Sequence, residues 1–293
     1  MKKGINAWCF PGNFSIRRCM ELAKAAGFDS IELNMSEKNK GKGLTDDLNF
    51  EENLGLTLDT GDNDLQKIAG MAKKIGILIS SVSTSLHWTY PLTSNDPEVR
   101  EKGKRIVLQM IHAAKAFGAD AVLVVPGLVD KTVSYRTAYR RSLEAFRELS
   151  KTAEREKVYL CAENVWNKFL LSPLEMARFI DETGSPYVGS YFDAGNVLQF
   201  SYPEYWVEAL GKRIKRVHIK DYSGDIGNIH GFVNLLEGDM DWPVLMKALK
   251  KAGYDGYVTA ELAPYQTAPE LIAKDTSRHM DAIFSYLEEG PRT

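Results

Sequence analysis

The sequence predicts an α/β protein consisting of a single (β/α)8 barrel, the TIM-barrel class, on two observations. Short apolar runs alternate with longer amphipathic runs along the whole chain, and this alternation occurs eight times. Eight strand and helix units need about 250 residues. The chain has 293 residues, of which 44% are hydrophobic and 26% charged. No linker-like segment interrupts the pattern, so we expect residues 1–293 to form one domain.

In the first half of the chain, glycines mark the ends of the predicted helices. Gly27, Gly76 and Gly118 follow amphipathic runs, as expected of C-cap residues. The predicted strands cover residues 4–8, 29–34, 77–83 and 121–125, and the helices cover residues 15–27, 64–74 and 96–117. The longest irregular stretch, residues 35–63, follows the second strand and mixes glycines with charges. We expect it to be a lid over the barrel mouth.

The second half repeats this order of elements. Its predicted strands cover residues 158–163, 188–193, 214–220 and 257–261. Its predicted helices cover residues 135–156, 173–182, 203–210, 242–252 and 269–288. The segment between the seventh strand and Asp241 is expected to be a loop.

Composition and charge exclude several classes of protein. The net charge of -2 provides no basic surface for nucleic acid, and no apolar run reaches membrane-spanning length. The first residues are too short an apolar run, and too soon broken by Pro11, for a signal peptide. Three cysteines without CxxC spacing indicate reduced thiols, so we expect a cytoplasmic protein. We therefore expect its partner to be a small-molecule substrate. The sequence leaves open whether the protein forms a homo-oligomer.

Four chemically active side chains stand at the ends of four successive predicted strands. They are Glu163, Asp193, His218 and Glu261. Each one alone has a more ordinary explanation, such as a buried acid paired with lysine or a histidine bonded to the backbone. Active sites of such barrels lie where the strands end, which favours one common site. One imidazole and three carboxylates suit Mn²⁺, Mg²⁺ or Co²⁺, and Zn²⁺ is compatible.

The motifs around these residues resemble a known superfamily. Glu163-Asn164-Val165-Trp166, Phe192-Asp193-Ala194-Gly195-Asn196, Val217-His218-Ile219-Lys220-Asp221 and Ala260-Glu261 are similar, in order and spacing, to the xylose isomerase-like TIM barrels. These are isomerases and epimerases of sugars and sugar phosphates. The resemblance implies a metal site of Glu163, Asp193, His218 and Glu261 in which the two glutamates also transfer protons. The ketose 3-epimerase branch usually has histidine three residues after the aspartate, where this chain has Asn196.

The chemistry of such reactions supports those residue types. Moving a stereocentre or carbonyl along a sugar requires removal of a weakly acidic C–H, and a metal on the substrate oxygens stabilises the resulting enediolate. Two carboxylates flanking the substrate can serve as base and acid. We therefore expect Glu163 and Glu261 to be catalytic, with Mn²⁺ as the first choice of metal, and Asp193 and His218 to be ligands only.

Six residues are candidates for substrate binding, each with a simpler alternative. Lys220 could contact a substrate oxygen or hold Glu163, or it could pair with Asp221 at the rim. The asparagines could contact hydroxyl groups or merely form turns. The tryptophans follow strands one, three and five, where they could pack on a sugar or on the core. The six candidates are Lys220, Asn164, Asn196, Trp8, Trp88 and Trp166.

Glu32, His87 and His230 are also expected near the rim, without an assigned role. Alternative functions are an inosose dehydratase-type lyase on the same metal site, an endonuclease IV-like nuclease and a non-catalytic sugar-binding barrel. The few histidines and the acidic net charge count against the nuclease. Residues 222–240 and 262–268, after strands seven and eight, contain no lysine or arginine. Because barrels often bind phosphate there, we expect an unphosphorylated substrate.

Overall fold

Eight parallel strands close into a barrel in the computed structural model, which describes residues 1–37 and 55–287. Neighbouring strands in the barrel are also neighbours in sequence, and the last strand pairs with the first. The strands are β1 Lys2–Asn6, β2 Ser30–Asn34, β3 Leu78–Ser83, β4 Ala121–Val124, β5 Tyr159–Glu163, β6 Val188–Asp193, β7 Ile214–Ile219 and β8 Tyr257–Ala260. The predicted fold class is confirmed.

One long helix follows each strand and packs outside the barrel. These helices are α1 Ile16–Ala25, α2 Asp62–Ile75, α3 Pro97–Phe117, α4 Tyr135–Glu156, α5 Pro173–Thr183, α6 Pro203–Leu210, α7 Trp242–Lys251 and α8 Leu271–Ser285. The Ser134 and Ser172 side chains accept backbone N–H groups at the starts of α4 and α5. Gly76 and Gly118 end α2 and α3 in the left-handed conformation, as the sequence predicts. No helix of the described chain is long and apolar enough to cross a membrane.

Secondary structure occurs in one segment predicted as a plain loop and in another to which the sequence analysis assigned no element. A short helix, Leu86–Thr89, follows β3. After β7, Asp221–Tyr222 pairs with Phe232–Val233 in an antiparallel ribbon. The Asp221 carboxylate organises this region, since it accepts the backbone N–H groups of Leu236 and Met240 at 3.1 Å each. Such a carboxylate contact between distant residues leaves no local sequence pattern, so the prediction of a plain loop was wrong.

The predicted lid, residues 35–63, falls mostly on residues 38–54, which lie outside the described residues. Its two ends are held together. The Ser36 N–H donates to the Leu56 carbonyl, and the Leu58 N–H donates to the Ser36 carbonyl, both at 3.0 Å. Helix α2 begins at Asp62, so the irregular stretch is slightly shorter than predicted.

Alternation along β7 separates the core from the interior of the barrel. Val217 and Ile219 pack in the hydrophobic core, whereas Arg216, His218 and Lys220 are buried polar residues. Arg216 reaches across the barrel and donates to the Ser80 carbonyl at 3.2 Å. The same strand therefore closes the lower part of the barrel with Arg216 and carries His218 and Lys220 toward the mouth.

Candidate active site

The four predicted metal ligands meet at the C-terminal mouth of the barrel. Glu163 ends β5, Asp193 ends β6, His218 lies in β7 and Glu261 directly follows β8. Each of them is buried, and one ligand atom from each lies within 4.8 Å of all the others. Their strands are consecutive neighbours in the barrel, which is why residues 98 positions apart in sequence converge.

The imidazole of His218 has two different sides. Its Nε2 lies 2.9 Å from Oε1 of Glu32. Its Nδ1 faces Glu163 Oε1 at 3.5 Å, Glu261 Oε2 at 3.7 Å and Asp193 Oδ2 at 4.0 Å. This Nδ1 is buried and has no hydrogen-bond partner in residues 1–37 and 55–287. A buried nitrogen without a partner is costly, and here it points at three carboxylates.

The carboxylates carry more negative charge than the neighbouring cation balances. Lys220 is buried, with its Nζ 2.6 Å from Asp193 Oδ2 and also bonded to Glu261. With these carboxylates ionised and His218 counted as the neutral imidazole that binds a metal, three carboxylates and one ammonium leave two formal negative charges. Burial, assisted by repulsion from Glu261, raises the pKa of Glu163 to about 7.

These residues fit a divalent cation. The two negative charges in excess match the charge of a divalent cation. The donor set of three oxygens and one imidazole nitrogen suits Mn²⁺, Mg²⁺, Co²⁺ or Zn²⁺. A small divalent ion binds oxygen at about 2.1 Å, so ligands on opposite sides of it stand about 4 Å apart. The observed spread of ligand atoms, up to 4.8 Å, needs only a small contraction to reach that value. A cation there would also give Nδ1 of His218 its missing partner.

The sequence analysis assigned no role to Glu32, yet it lies at the centre of the hydrogen-bond network below the ligands. Its carboxylate is fully buried and accepts from Asn6, Ser81 and Tyr191 as well as contacting His218. The sequence contains one indication of this role. A carboxylate stands inside the buried strand sequence Ser30-Ile31-Glu32-Leu33, on the opposite face of the strand from Ile31 and Leu33.

A cavity of about 610 Å³ opens above the ligands. Glu163 and Glu261 face it, while Asp193 and His218 are completely buried beneath. Five of the six predicted substrate-binding residues line this cavity, together with apolar groups such as Phe232; the five are Trp8, Trp88, Trp166, Asn196 and Lys220. The cavity can therefore place the apolar face of a ligand against indole rings and its polar end on the carboxylates.

Two of the six candidates have hydrogen-bond partners that the sequence did not indicate. Lys220 contacts Asp193 and Glu261, instead of Glu163 or Asp221. Asn164 does not line the cavity, because its amide accepts from the Asp193 N–H at 3.0 Å and donates to the Asp193 carbonyl at 2.7 Å. It therefore braces the end of β6 beside the ligand, a role that its position after a strand could not reveal.

Asn196 and Trp166 keep their places at the cavity and are also tied to each other. Trp166 Nε1 donates to the Asn196 carbonyl at 2.8 Å, and Asn196 Nδ2 donates to the Asn164 carbonyl at 3.0 Å. The backbone N–H of Asn196 donates to Asp193 Oδ1 at 2.9 Å, which orients this ligand. Of the other expected rim residues, His230 is exposed in a short 3-10 turn, whereas His87 is fully buried.

Two known epimerases are similar to this chain in sequence. L-ribulose-5-phosphate 3-epimerase UlaE of Escherichia coli is 26% identical over 249 residues, covering 83% of this chain and 80% of its own. The Shigella flexneri protein of that name is 26% identical over 250 residues with the same coverage. The sequence-based expectation of an isomerase or epimerase thus agrees with what these relatives are.

Solved structures show the same fold. D-psicose 3-epimerase from Clostridium cellulolyticum H10, determined with D-tagatose, has a TM-score of 0.76 at 17% identity, covering 98% of this chain and 99% of its own. An L-ribulose 3-epimerase has a TM-score of 0.77 at 17% identity, covering 100% and 99%. The family model described as xylose isomerase-like TIM barrel matches residues 20–283. With that match over most of its length, the chain belongs to the xylose isomerase-like TIM barrel family.

Proposed function

We propose that the chain is a divalent-metal-dependent isomerase or epimerase of a ketose, sugar phosphate or related polyol, which acts by proton transfer through an enediolate with two glutamates. The observation that carries this proposal is the unpartnered Nδ1 of His218 among three carboxylates, two of which also face a cavity of sugar-compatible lining. Mn²⁺ is our first choice of metal, and Mg²⁺, Co²⁺ or Zn²⁺ would suit the same donors. We also propose that residues 1–293 form one domain and that the protein is cytoplasmic, which its three free, buried cysteines support.

The roles of the residues follow from their positions. Glu163, Asp193, His218 and Glu261 would hold the metal, which when bound supplies electrophilic stabilisation of charge developing on substrate oxygens. Glu163 and Glu261 approach the cavity from strands on either side of Asp193 and His218. They can therefore reach a carbon-bound hydrogen from two sides, one removing the proton and the other returning it. The tryptophan-lined walls would shield this exchange from part of the surrounding water.

The cavity favours a substrate without phosphate. Lys168 is its exposed cation in the described chain, while Asp130 on the same wall offsets that charge. The Gly224 amide, which could otherwise bind an anion, already donates to Asp239 at 2.7 Å. The sequence relatives are named for a sugar phosphate, whereas the solved structures cited above are named for free sugars. Lys38, Lys40 and Lys42 are further cations in the sequence and lie outside the described residues.

Hydrogen exchange tests the proposed reaction directly. Purified protein loaded with Mn²⁺ is incubated in D₂O with a panel of ketoses, aldoses and inososes, and deuterium incorporation at carbon is followed by NMR. We expect exchange into a ketose together with formation of its isomer or epimer. Loss of water from an inosose without exchange into any ketose would contradict the proposed isomerase and support the inosose dehydratase-type lyase. Absence of exchange throughout the panel, with metal bound, would contradict catalysis of this type.

Phosphate preference is measured by comparing kcat/KM for a free ketose and for its terminal phosphate. We expect the free sugar to be used at least as well, because the described cavity has no excess of positive charge. A hundredfold preference for the phosphate, about 2.7 kcal/mol of transition-state stabilisation, would demonstrate an anion site and contradict this choice.

A further inference from the structure

We infer that Glu32 is a positioning residue for the metal site, which turns His218 so that Nδ1 is the atom presented to the cation. The inference rests on the proposed function insofar as it concerns a bound metal. Glu32 itself lies in β2, across the barrel from β7, and it is not one of the clustered ligands.

Glu32 is held rigidly by donors from four strands. Its Oε1 accepts from Asn6 of β1 and lies 2.9 Å from His218 Nε2. Its Oε2 accepts from the Ser81 hydroxyl of β3 at 2.5 Å and from the Tyr191 hydroxyl of β6. With both oxygens engaged twice and no exposed surface, the carboxylate has no freedom to rotate away from the imidazole.

The same network fixes the plane of the imidazole. The Tyr191 ring packs against the His218 ring, with centroids 4.4 Å apart and planes inclined by 57°. Turning the ring over would place a carbon opposite Glu32 and break the only hydrogen bond that the imidazole makes within the described residues. Tyr191 thus limits the tilt of the imidazole, and Glu32 determines that the Nδ1 side of the ring faces the barrel mouth.

The hydrogen-bond chemistry then determines the ligand atom. An ionised carboxylate only accepts hydrogen bonds, so Nε2 of His218 must carry the proton that it donates to Glu32. In the neutral imidazole that binds a metal, the lone pair is then on Nδ1, which faces the other three ligands. Histidine ligands generally depend on such a partner, and losing it typically costs 10- to 100-fold in metal affinity.

Metal affinity of matched variants tests the inference. In Glu32→Gln, we expect Mn²⁺ to bind 10- to 100-fold more weakly by calorimetry, since an amide presents one weaker acceptor and brings its own N–H groups toward Ser81 and Tyr191. Tyr191→Phe, which keeps the ring, should lose less than tenfold. Ser190→Ala is the control on the same strand, because the Ser190 hydroxyl is buried and bonded to nothing in the described chain. Circular dichroism and thermal melting confirm that each variant folds.

A Glu32→Gln affinity within twofold of the wild type would overturn the inference. NMR provides the readout that does not depend on turnover. Zn²⁺-loaded and metal-free wild-type protein should both show a slowly exchanging, low-field Nε2–H proton of His218, lost or shifted upfield in Glu32→Gln. If the wild type binds no metal but shows this proton, the metal proposal fails and the positioning role stands. If the wild-type proton is missing, or the metal is found on Nε2, the positioning role fails.

Discussion

Two fully buried histidines occupy opposite environments in this barrel. His87 lies in the short helix Leu86–Thr89 after β3, and neither of its ring nitrogens has a hydrogen-bond partner in the described chain. Burial lowers the pKa of His87 to about 4. His218 in β7 is equally buried, and its pKa is nevertheless raised well above the ordinary value, because Glu32 and Glu261 outweigh the effect of burial.

The contrast shows what distinguishes a ligand from a core residue. Burial alone keeps an imidazole neutral and leaves it without a reaction partner. At the barrel mouth, carboxylates from separate strands converge on His218, so the same side chain becomes part of the proposed cation site. Variants of the carboxylates and of the two histidines therefore test whether turnover and metal binding depend on the carboxylate cluster or on any buried histidine.

Removing one mouth carboxylate should have the largest effect. Glu163→Gln and Glu261→Gln should each lower turnover by at least about 10²–10⁴-fold, because a positioned acid or base contributes that much and each residue is also a ligand. His87→Leu, of similar volume, should retain turnover. Steady-state kinetics with metal-saturated protein measure both effects. Near-normal activity in either glutamine variant would remove that residue from the proton transfer.

His87 should make folding stability depend on pH. Its pKa falls from the ordinary 6.5 to about 4 on folding, so the unfolded chain binds more protons between these values. Stability is fully present above pH 6.5 and decreases as the pH falls toward 4, by about 3 kcal/mol at most.

Urea unfolding across pH 4–7 should show this loss in the wild type. The loss should be smaller in His87→Leu, which has no imidazole to protonate. Identical pH profiles for the two proteins would mean that His87 is solvated or paired in solution.

Metal should stabilise the fold through His218 and not through His87. Mn²⁺ at about 100 times its dissociation constant should add about 2.7 kcal/mol of stability. The measurement is thermal unfolding with Mn²⁺ or with a chelator. We expect His218→Asn to abolish most of this increment and His87→Leu to keep it. An increment that survives in His218→Asn would place the binding site elsewhere.

The barrel and the clustering of Glu163, Asp193, His218 and Glu261 were predictable because their signals are local. Strand runs that end in Glu163, Asp193 and Glu261, and the alternation that turns His218 away from Val217, are both read from a few adjacent residues. Once the strands are taken as parallel neighbours, their ends must meet.

Contacts between distant residues could not be predicted in this way. The partners of Glu32 come from β1, β3, β6 and β7, as many as 186 residues away. Lys220 bonds to Asp193 and Glu261, which are 27 and 41 residues away in the sequence, so its neighbours along the chain do not indicate these partners. His87 and His218 are the same residue type in the sequence, and only the tertiary structure distinguishes them. The His87 ring is buried without a hydrogen-bond partner among the described residues, whereas the His218 ring lies beside four carboxylates.

The buried ammonium of Lys220 has a consequence for how the protein matures in a cell. Since this lysine supplies countercharge that belongs to the chain itself, Asp193 and Glu261 can be gathered during synthesis without waiting for an ion. Zinc fingers, by contrast, remain unfolded until their metal arrives. A chain of this kind would accumulate as folded protein during metal starvation and be loaded afterwards. Which ion it then carries would depend on the cellular supply as well as on the site's own affinities.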